Sequence, residues 1–281
     1  MSTPGILYVV ATPIGNLQDI TYRAINIFKY VDIIAVEDTR YSKKLMQHYG
    51  ITTAMISLHN YNEINRTKVI IKKLGQGQNI ALISDAGTPV ISDPGFYLIR
   101  AVLSMGYKVT PIPGVCAAIA ALCVSGMPAH KFIFEGFLPS KQIQQLKRLQ
   151  ELFNENRTII IYESSHRLIT TISNIHNIYG DNREIVLAKE LTKIFETIHI
   201  TTTKKLKEWL FEKHDRKKGE FVILIKGTIT NISNNYDHLH ILHTILQYLP
   251  KKESLTLTAK LTGISKNKLY ENLLKADQEE N

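Results

Sequence analysis

Six runs of aliphatic and β-branched residues along this chain each end in a compact polar or Gly/Pro cluster. The clusters occupy residues 12–16, 37–40, 84–89, 113–115, 163–167 and 189–193. Buried strands of a parallel sheet are almost continuously apolar, and an open α/β sheet binds its ligand in a crevice outside the carboxyl ends of its strands. One such cluster is compatible with an ordinary turn. Six of them predict a site assembled from loops of two halves of the chain.

The apolar runs fall into two series of five strands. The first series is predicted at 6–11, 32–36, 54–58, 79–83 and 108–112, and the second at 131–137, 158–162, 184–187, 198–202 and 221–225. Helix-period segments separate the strands of the first series, which predicts a parallel sheet. No long helix separates the third and fourth strands of the second series, so that sheet is expected to be mixed.

The clearest helix signal covers residues 94–105. Asp93 is predicted as its N-cap, Pro94 as its first residue and Gly106 as its stop.

The predicted fold class is therefore α/β, with two α/β domains around a cleft and a helical tail. The domains are expected at 1–114 and 115–229, joined near residues 113–128, and a linker and tail at 230–281. Residues 228–235 are rich in Thr, Ser and Asn, as linkers are. In the tail, Ala259 stands four before Gly263, and Ser265 opens a helix over 266–276. This spacing is typical of a helix-turn-helix, although a small bundle that packs on the body or on a second subunit explains it equally well.

Charge favours an anionic partner. Lys and Arg number 34 against 25 Asp and Glu, a formal charge of +9, which suits RNA, DNA or another phosphate-rich surface but does not establish one.

Several classes of protein are disfavoured. Cys116 and Cys123 lie about 10 Å apart along a helix, too far for a disulfide, which fits a reduced cytosol. No basic segment precedes an apolar run at the N-terminus, and the longest uncharged apolar stretch, 115–127, is short of the ~20 residues of a membrane span. His238, His240 and His243 lack a completing ligand pattern, so we expect a solvated helix face there and no metal.

The strand-end loops indicate a cofactor that is held largely by backbone. Residues 75–80 lack the third glycine of a dinucleotide loop, and no Gly-Lys pair marks a phosphate loop. Rigid, small residues instead follow the strands: Pro13, Gly15, Gly87, Pro89, Pro113 and Gly114. Such loops suit a ligand that combines amino, carboxylate and purine groups, and S-adenosylmethionine is one. Asp85 and Thr88 would supply acceptors near its sulfonium. Plain turns, and close helix packing at 113–121, remain the alternatives.

Eight motifs resemble the tetrapyrrole-methylase superfamily. They lie at 12–17, 37–40, 84–89, 113–114, 135–139, 162–167, 190–193 and 218–220. The pattern is similar to that of its RNA-directed branch, the bacterial small-subunit ribosomal RNA (cytidine-2′-O)-methyltransferases, and covers about residues 6–275 in order. Glu-Asp-Thr-Arg at 37–40 and Glu-Leu-Thr-Lys at 190–193 look particular to that branch.

The resemblance implies an S-adenosylmethionine-dependent homodimer that methylates a cytidine in the decoding region of small-subunit ribosomal RNA, within the assembled subunit, in the cytoplasm. Residue pattern and resemblance together give these cofactor-binding positions: Pro13, Gly15, Asp85, Ala86, Gly87, Thr88, Pro113, Gly114, Cys116, Ala117, Tyr162, Ala188 and Phe221. Cys116 departs slightly from the family, whose related members often have other small residues there.

Methyl transfer to a ribose 2′-hydroxyl requires removal of its proton and stabilisation of the developing alkoxide. Glu190 and Lys193 are the expected catalytic pair, and Arg40 or Arg167 would hold a phosphate. Ion pairs that merely lock loops explain the same residues, and Glu37 and Glu163 are further candidates. Two other functions stay open: a tetrapyrrole (uroporphyrinogen or precorrin) C-methyltransferase, and a non-catalytic helix-turn-helix protein that binds nucleic acid.

Overall fold

The computed structural model describes residues 3–228 and 238–279, with side chains to residue 274. The chain divides into two compact units, 1–228 and 229–281, and each is described by itself. Apart from Thr228, the predicted linker lies outside the described residues. The boundary predicted at 114/115 falls inside the first unit and stays a prediction.

The first half of the larger unit is built on the expected parallel sheet. Its spatial order is β3-β2-β4-β1-β5, and every neighbouring pair is parallel. The strands are β1 (Leu7–Val10), β2 (Ile33–Val36), β3 (Ala54–Ser57), β4 (Ile80–Leu82) and β5 (Val109–Ile112). The helices are α1 (Tyr22–Tyr30), α2 (Thr39–His48), α3 (Glu63–Gly75) and α4 (Phe96–Ser104). Because β1 and β4 are neighbours while the chain leaves them toward opposite sides of the sheet, a crevice opens at their carboxyl ends.

The second half is built on the mixed sheet that was predicted. Its order is β6-β7-β10-β8-β9, with β6 parallel to β7 and the other pairs antiparallel. The strands are β6 (Phe132–Phe137), β7 (Thr158–Ser164), β8 (Glu184–Lys189), β9 (Thr197–Thr202) and β10 (Glu220–Ile225). The helices are α5 (Ala117–Val124), α6 (Gln142–Glu151), α7 (Leu168–Tyr179) and α8 (Thr203–Glu212).

The small residues of α5 pack against the second sheet. Ala118, Ala121 and Leu122 are buried in one apolar cluster with Ile160 and Val222 of the second sheet. Small side chains allow the helix to approach the sheet closely. The packing interpretation therefore holds for this face of α5.

The predicted start of α4 is wrong. The helix begins at Phe96 after Gly95, which has a φ of +126°, and Asp93 does not cap it. Its cap comes from a different helix: one carboxylate oxygen of Glu63 accepts hydrogen bonds from the backbone N–H groups of Gly95, Tyr97 and Leu98, at 3.0–3.3 Å. A carboxylate there satisfies orphan amides and interacts favourably with the helix dipole.

The end of α4 is as predicted. Gly106, with a φ of +72°, follows the last turn, and its N–H donates to the carbonyl of Leu103.

The smaller unit contains α9 (His238–Leu246), α10 (Lys251–Thr262) and α11 (Lys266–Glu279). The predicted turn is confirmed: Gly263 adopts a left-handed φ of +70°, and the Ser265 hydroxyl accepts from the N–H of Lys268 at 3.4 Å. Leu242, Leu269 and Leu273 form its core. Within the described ranges, no three potential ligands form a metal-binding group, and no helix has the length and apolar character needed to span a membrane.

The buried cap makes a testable demand on stability. Glu63 is only 4% exposed. We expect Glu63→Ala to leave buried amides without an acceptor and to lower the free energy of unfolding by about 2–4 kcal/mol, with Glu63→Gln intermediate. Thermal unfolding of the full chain measures this. Glu208→Ala, an exposed glutamate of α8, is the control, and an equal midpoint for Glu63→Ala and the control would contradict the assignment.

Candidate active site

A cavity of about 350 Å³ opens between the strand-end loops of the two halves of the larger unit. Nine of the predicted cofactor positions line it: Asp85, Ala86, Gly87, Thr88, Cys116, Ala117, Tyr162, Ala188 and Phe221. The first four belong to the loop after β4, and the others come from α5 and the second sheet. The two halves therefore contribute to one site.

The other four predicted positions, Pro13, Gly15, Pro113 and Gly114, are not among the residues that line the cavity. Two of them allow close approach instead. A Cβ on Gly114 would lie 2.9 Å from the Ala11 side chain, and one on Gly15 would lie 2.4 Å from Lys193 Cγ. Two backbone hydrogen bonds between Thr12 and Gly87 tie these loops together. Gly15 and Gly114 therefore allow close packing of the loops, and neither lines the cavity.

The cavity lining includes several carboxylates. Asp85 and Asp93 are among them, and Glu37 lies near them. Burial raises the pKa of Asp93 to about 6, and the neighbouring Asp85 adds to that rise. Burial likewise raises the pKa values of Asp85 and Glu37. The three carboxylates destabilise one another, so a cationic ligand group placed beside them would be stabilised.

Aromatic side chains, Tyr162 and Phe137 among them, also line the cavity. Tyr162 makes edge-on ring contacts with Phe134 and Phe137, with centroids 4.9 and 5.7 Å away. Its hydroxyl oxygen accepts from the N–H of Ala118 at 3.1 Å, in the first turn of α5. Burial raises the pKa of Tyr162, so it remains a neutral phenol at physiological pH. Its structural task is to hold α5 against the cavity.

The predicted catalytic pair lies beside the cavity. Lys193 Nζ forms ion pairs with Glu190 at 2.9 Å and with Glu220 at 2.8 Å. Glu220 and Leu191 line the cavity, whereas Glu190 and Lys193 do not. Burial raises the pKa of Glu190, but Lys193 and the Glu220 amide outweigh it, and the net shift is downward. Glu190 is therefore ionised at neutral pH.

This segment is tightly constrained. Glu190 and Thr192 have φ values of +51° and +65°, which are unusual for residues other than glycine. Thr192 Oγ1 accepts from the N–H of Asn16 at 3.1 Å, a direct link between the two halves.

The two predicted phosphate ligands differ. The Arg40 side chain is 90% exposed and is paired with Asp38 at 2.8 Å. Arg167 instead donates to the backbone carbonyls of Leu138 and Pro139 and lies 3.5 Å from the Glu163 carboxylate. Arg40 faces solvent, whereas Arg167 supports a loop.

Sequence reasoning missed several lining residues, among them Ile14, Ile91, Ser92, Asp93, Phe137, Ser164 and Leu191. Asp93 was assigned to helix capping. Asp93 follows the 84–89 cluster by only four residues, and this closeness in sequence could have indicated that it belongs to the site. Glu163, a fallback catalytic candidate, also lines the cavity.

Comparison with known proteins gives the family and the fold of this chain. The family described as Tetrapyrrole (Corrin/Porphyrin) Methylases matches residues 6–207. Solved structures share the fold: a cobalt precorrin-4 methyltransferase has a TM-score of 0.58 and 16% identity, covering 79% of this chain and 94% of its own. A crystal structure of diphthine synthase has a TM-score of 0.59 and 13% identity, and the match covers 79% of this chain and 89% of the synthase chain.

Curated relatives are much more similar in sequence. "Ribosomal RNA small subunit methyltransferase I" of Pasteurella multocida is 50% identical over 95% of this chain and 96% of its own. The protein of the same name from Haemophilus influenzae is 48% identical, covering 95% of each chain. These matches confirm the resemblance seen in the motifs. The chain belongs to the tetrapyrrole methylase family, and within it to the group of ribosomal RNA small subunit methyltransferase I proteins.

Proposed function

We propose that this methyltransferase binds S-adenosylmethionine in the cleft and methylates the 2′-hydroxyl of a cytidine in the decoding region of small-subunit ribosomal RNA. One observation carries the cofactor assignment. Nine positions that were expected to contact the cofactor, distant in sequence, line a single cavity. The names of the relatives support the RNA substrate.

The lining residues fit this cofactor chemically. Asp85 and Asp93 suit its positive sulfonium and amino groups, because opposite charges attract strongly where water is partly excluded. Ala188, Leu191 and Phe221 offer apolar surface to the adenosine. When bound, S-adenosylmethionine supplies an electrophilic methyl group. The residues of the cleft would orient it and exclude water.

Within the same proposal, Glu190, Lys193 and Arg40 act on the RNA. Ionised Glu190 can accept the proton of the ribose hydroxyl, and the Lys193 ammonium can stabilise the developing alkoxide. Exposed Arg40 is suited to a phosphate contact. Leu191, which lies between Glu190 and Lys193 in the sequence, lines the cavity and so brings the pair next to it.

The proposed partner is the RNA of the assembled small subunit, so the proposed location is the cytoplasm. The formal charge of +9 supports an anionic partner. A homodimer is part of the proposal, because the resemblance implies one.

No observation favours the alternatives. The solved tetrapyrrole enzymes are only 15–16% identical and so support the fold alone. A non-catalytic helix-turn-helix protein would leave the cavity and its carboxylates without a role.

Reversing one cavity charge tests the cofactor site. We expect Asp85→Arg to weaken S-adenosylmethionine binding by tenfold or more, by about 1.4 kcal/mol, because an attractive charge becomes repulsive. Calorimetric titration measures it. Asp181→Arg, outside the cavity, should bind as the wild type does. Equal affinity in the wild type and both variants would contradict the assignment of the cofactor to this cleft.

Neutralising the Glu190 and Lys193 pair tests the chemistry. Glu190→Gln and Lys193→Ala should each lower the single-turnover methylation rate by about 10²-fold or more, with cofactor affinity near wild type. Weaker cofactor binding with an unchanged rate at saturation would move both residues to the cofactor site. Full activity would reduce them to ion pairs that lock the loop, leaving Arg40, Glu37 and Glu163 as candidates.

Salt dependence tests the tail. Lys252, Lys260, Lys266 and Lys268 are exposed on α10 and α11. Replacing all four by Gln should weaken RNA binding and reduce the slope of log affinity against log salt by up to about 3, since each phosphate contact contributes roughly 0.7. The matched Lys→Arg variant keeps the charges and should keep the slope. If the Gln variant also keeps it, the tail has a packing role.

A further inference from the structure

Phe137 is an exception among the apolar residues of the cavity. It ends β6 and lines the cavity, yet it is 54% exposed, whereas Phe221, which also lines the cavity, is 3% exposed. A large ring that stays half exposed inside a cleft loses favourable burial. Two features of the surrounding structure hold it there.

The first feature is a β-bulge in β6. Phe134 pairs with Ile160 and Gly136 with Ile161, so Glu135 is an extra residue in β6. Side chains alternate between the faces of a strand, so residues 134 and 137 would lie on opposite faces of a regular strand. The extra residue puts both rings on the same face, where both contact Tyr162.

Glycine makes this bulge possible. Gly136 has a φ of +64°, and a Cβ there would lie 2.9 Å from the Ser92 hydroxyl oxygen of the first half. Glu135, the extra residue, is held by a bidentate ion pair with Arg148, with both N–O distances 2.8 Å. The bulge is therefore fixed by the Glu135–Arg148 ion pair and by the close packing of Gly136 against Ser92.

The second feature is an arginine that is paired with a buried carboxylate. Arg167 Nη2 donates to the carbonyl oxygens of Leu138 and Pro139, at 2.7 and 3.1 Å, directly after Phe137. Its Nε lies 3.5 Å from Glu163, whose side chain is 0% exposed. Glu163 also accepts from the Thr171 hydroxyl at 2.6 Å. Arg167 is thus oriented by a carboxylate that is itself hydrogen-bonded in the core.

We propose that the Phe137 ring is a stacking face for the planar heterocycle of a ligand in the cleft, and that Arg167 and Glu163 are positioning residues for that ring. The heterocycle is either the adenine of the cofactor or the base of the target nucleotide. Stacking on an aromatic side chain suits both, since each has a π-face. The inference deepens the proposed function and rests on it.

Phe137→Ala in the full chain tests the stacking face. We measure S-adenosylmethionine affinity by calorimetry, and the KM for the small ribosomal subunit at saturating cofactor. One of the two should worsen by about tenfold or more. A change in cofactor affinity identifies adenine as the stacked group, and a change in the KM alone identifies the target base.

Two further variants complete this test. Phe137→Tyr, which restores a ring, should recover most of the loss. Phe211→Ala, which removes a phenylalanine that is 58% exposed on α8 and does not line the cavity, should change neither quantity. If Phe137→Ala changes both quantities by less than twofold, the inference is overturned.

A double-mutant cycle tests the positioning role. Arg167→Met should worsen the same quantity as Phe137→Ala, in the same direction, and should add nothing further when Phe137 is already alanine. Additive losses would make Arg167 a merely structural residue. Arg167→Lys, which keeps the charge, serves the same cycle if Arg167→Met does not fold.

The outcomes separate this inference from the function on which it rests. A wild-type protein that binds no S-adenosylmethionine and methylates no subunit contradicts the proposed function. A wild-type protein that does both, with an unaffected Phe137→Ala variant, contradicts only the stacking role.

Discussion

The cleft depends on a close approach between two loops, one from each half of the larger unit. Gly15 follows β1, and a side chain there would collide with Lys193, since its Cβ would lie 2.4 Å from Lys193 Cγ. The neighbouring Asn16 amide donates to Thr192 Oγ1 at 3.1 Å. In the segment that makes this contact, Glu190 and Thr192 have positive φ values, which are unusual for residues other than glycine. Such conformations persist only where surrounding contacts determine them, and here those contacts place Leu191 against the cavity.

Charge is arranged in opposite ways inside and outside the cavity. Asp85 and Asp93 make its lining acidic, although the chain as a whole is basic. Burial of these carboxyls raises their pKa values and therefore opposes their ionisation. A bound cationic group would offset that cost, as the proposed sulfonium would. The basic residues, among them exposed Arg40, suit a separate contact with phosphates. In the proposed function, the cofactor and the RNA would thus be bound by groups of opposite charge.

The sequence was sufficient for the features that depend on local pattern. Apolar runs predicted both sheets, and Gly263 with Ser265 predicted the turn in the tail, because strand burial and helix caps leave direct marks on residue order. Long-range contacts left no such marks. The α4 cap comes from Glu63, more than thirty positions earlier, so Asp93 was misassigned. Phe137 was missed because its direction depends on a bulge that only the pairing with β7 shows. The strand-end pattern indicated Asp85, Gly87 and Thr88, and the resemblance added the other lining positions.

We propose that this cleft methylates a ribose hydroxyl of small-subunit ribosomal RNA. Mass spectrometry of nucleosides and RNA fragments, from cells with and without the gene, tests it most directly. We expect a 2′-O-methylcytidine in the decoding region that is lost when the gene is deleted. It should return with the wild-type gene but not with the gene for Asp85→Arg. An unchanged methylation pattern in the deleted strain would contradict this proposal. So would the loss of a methyl group from a base with the ribose methylation intact.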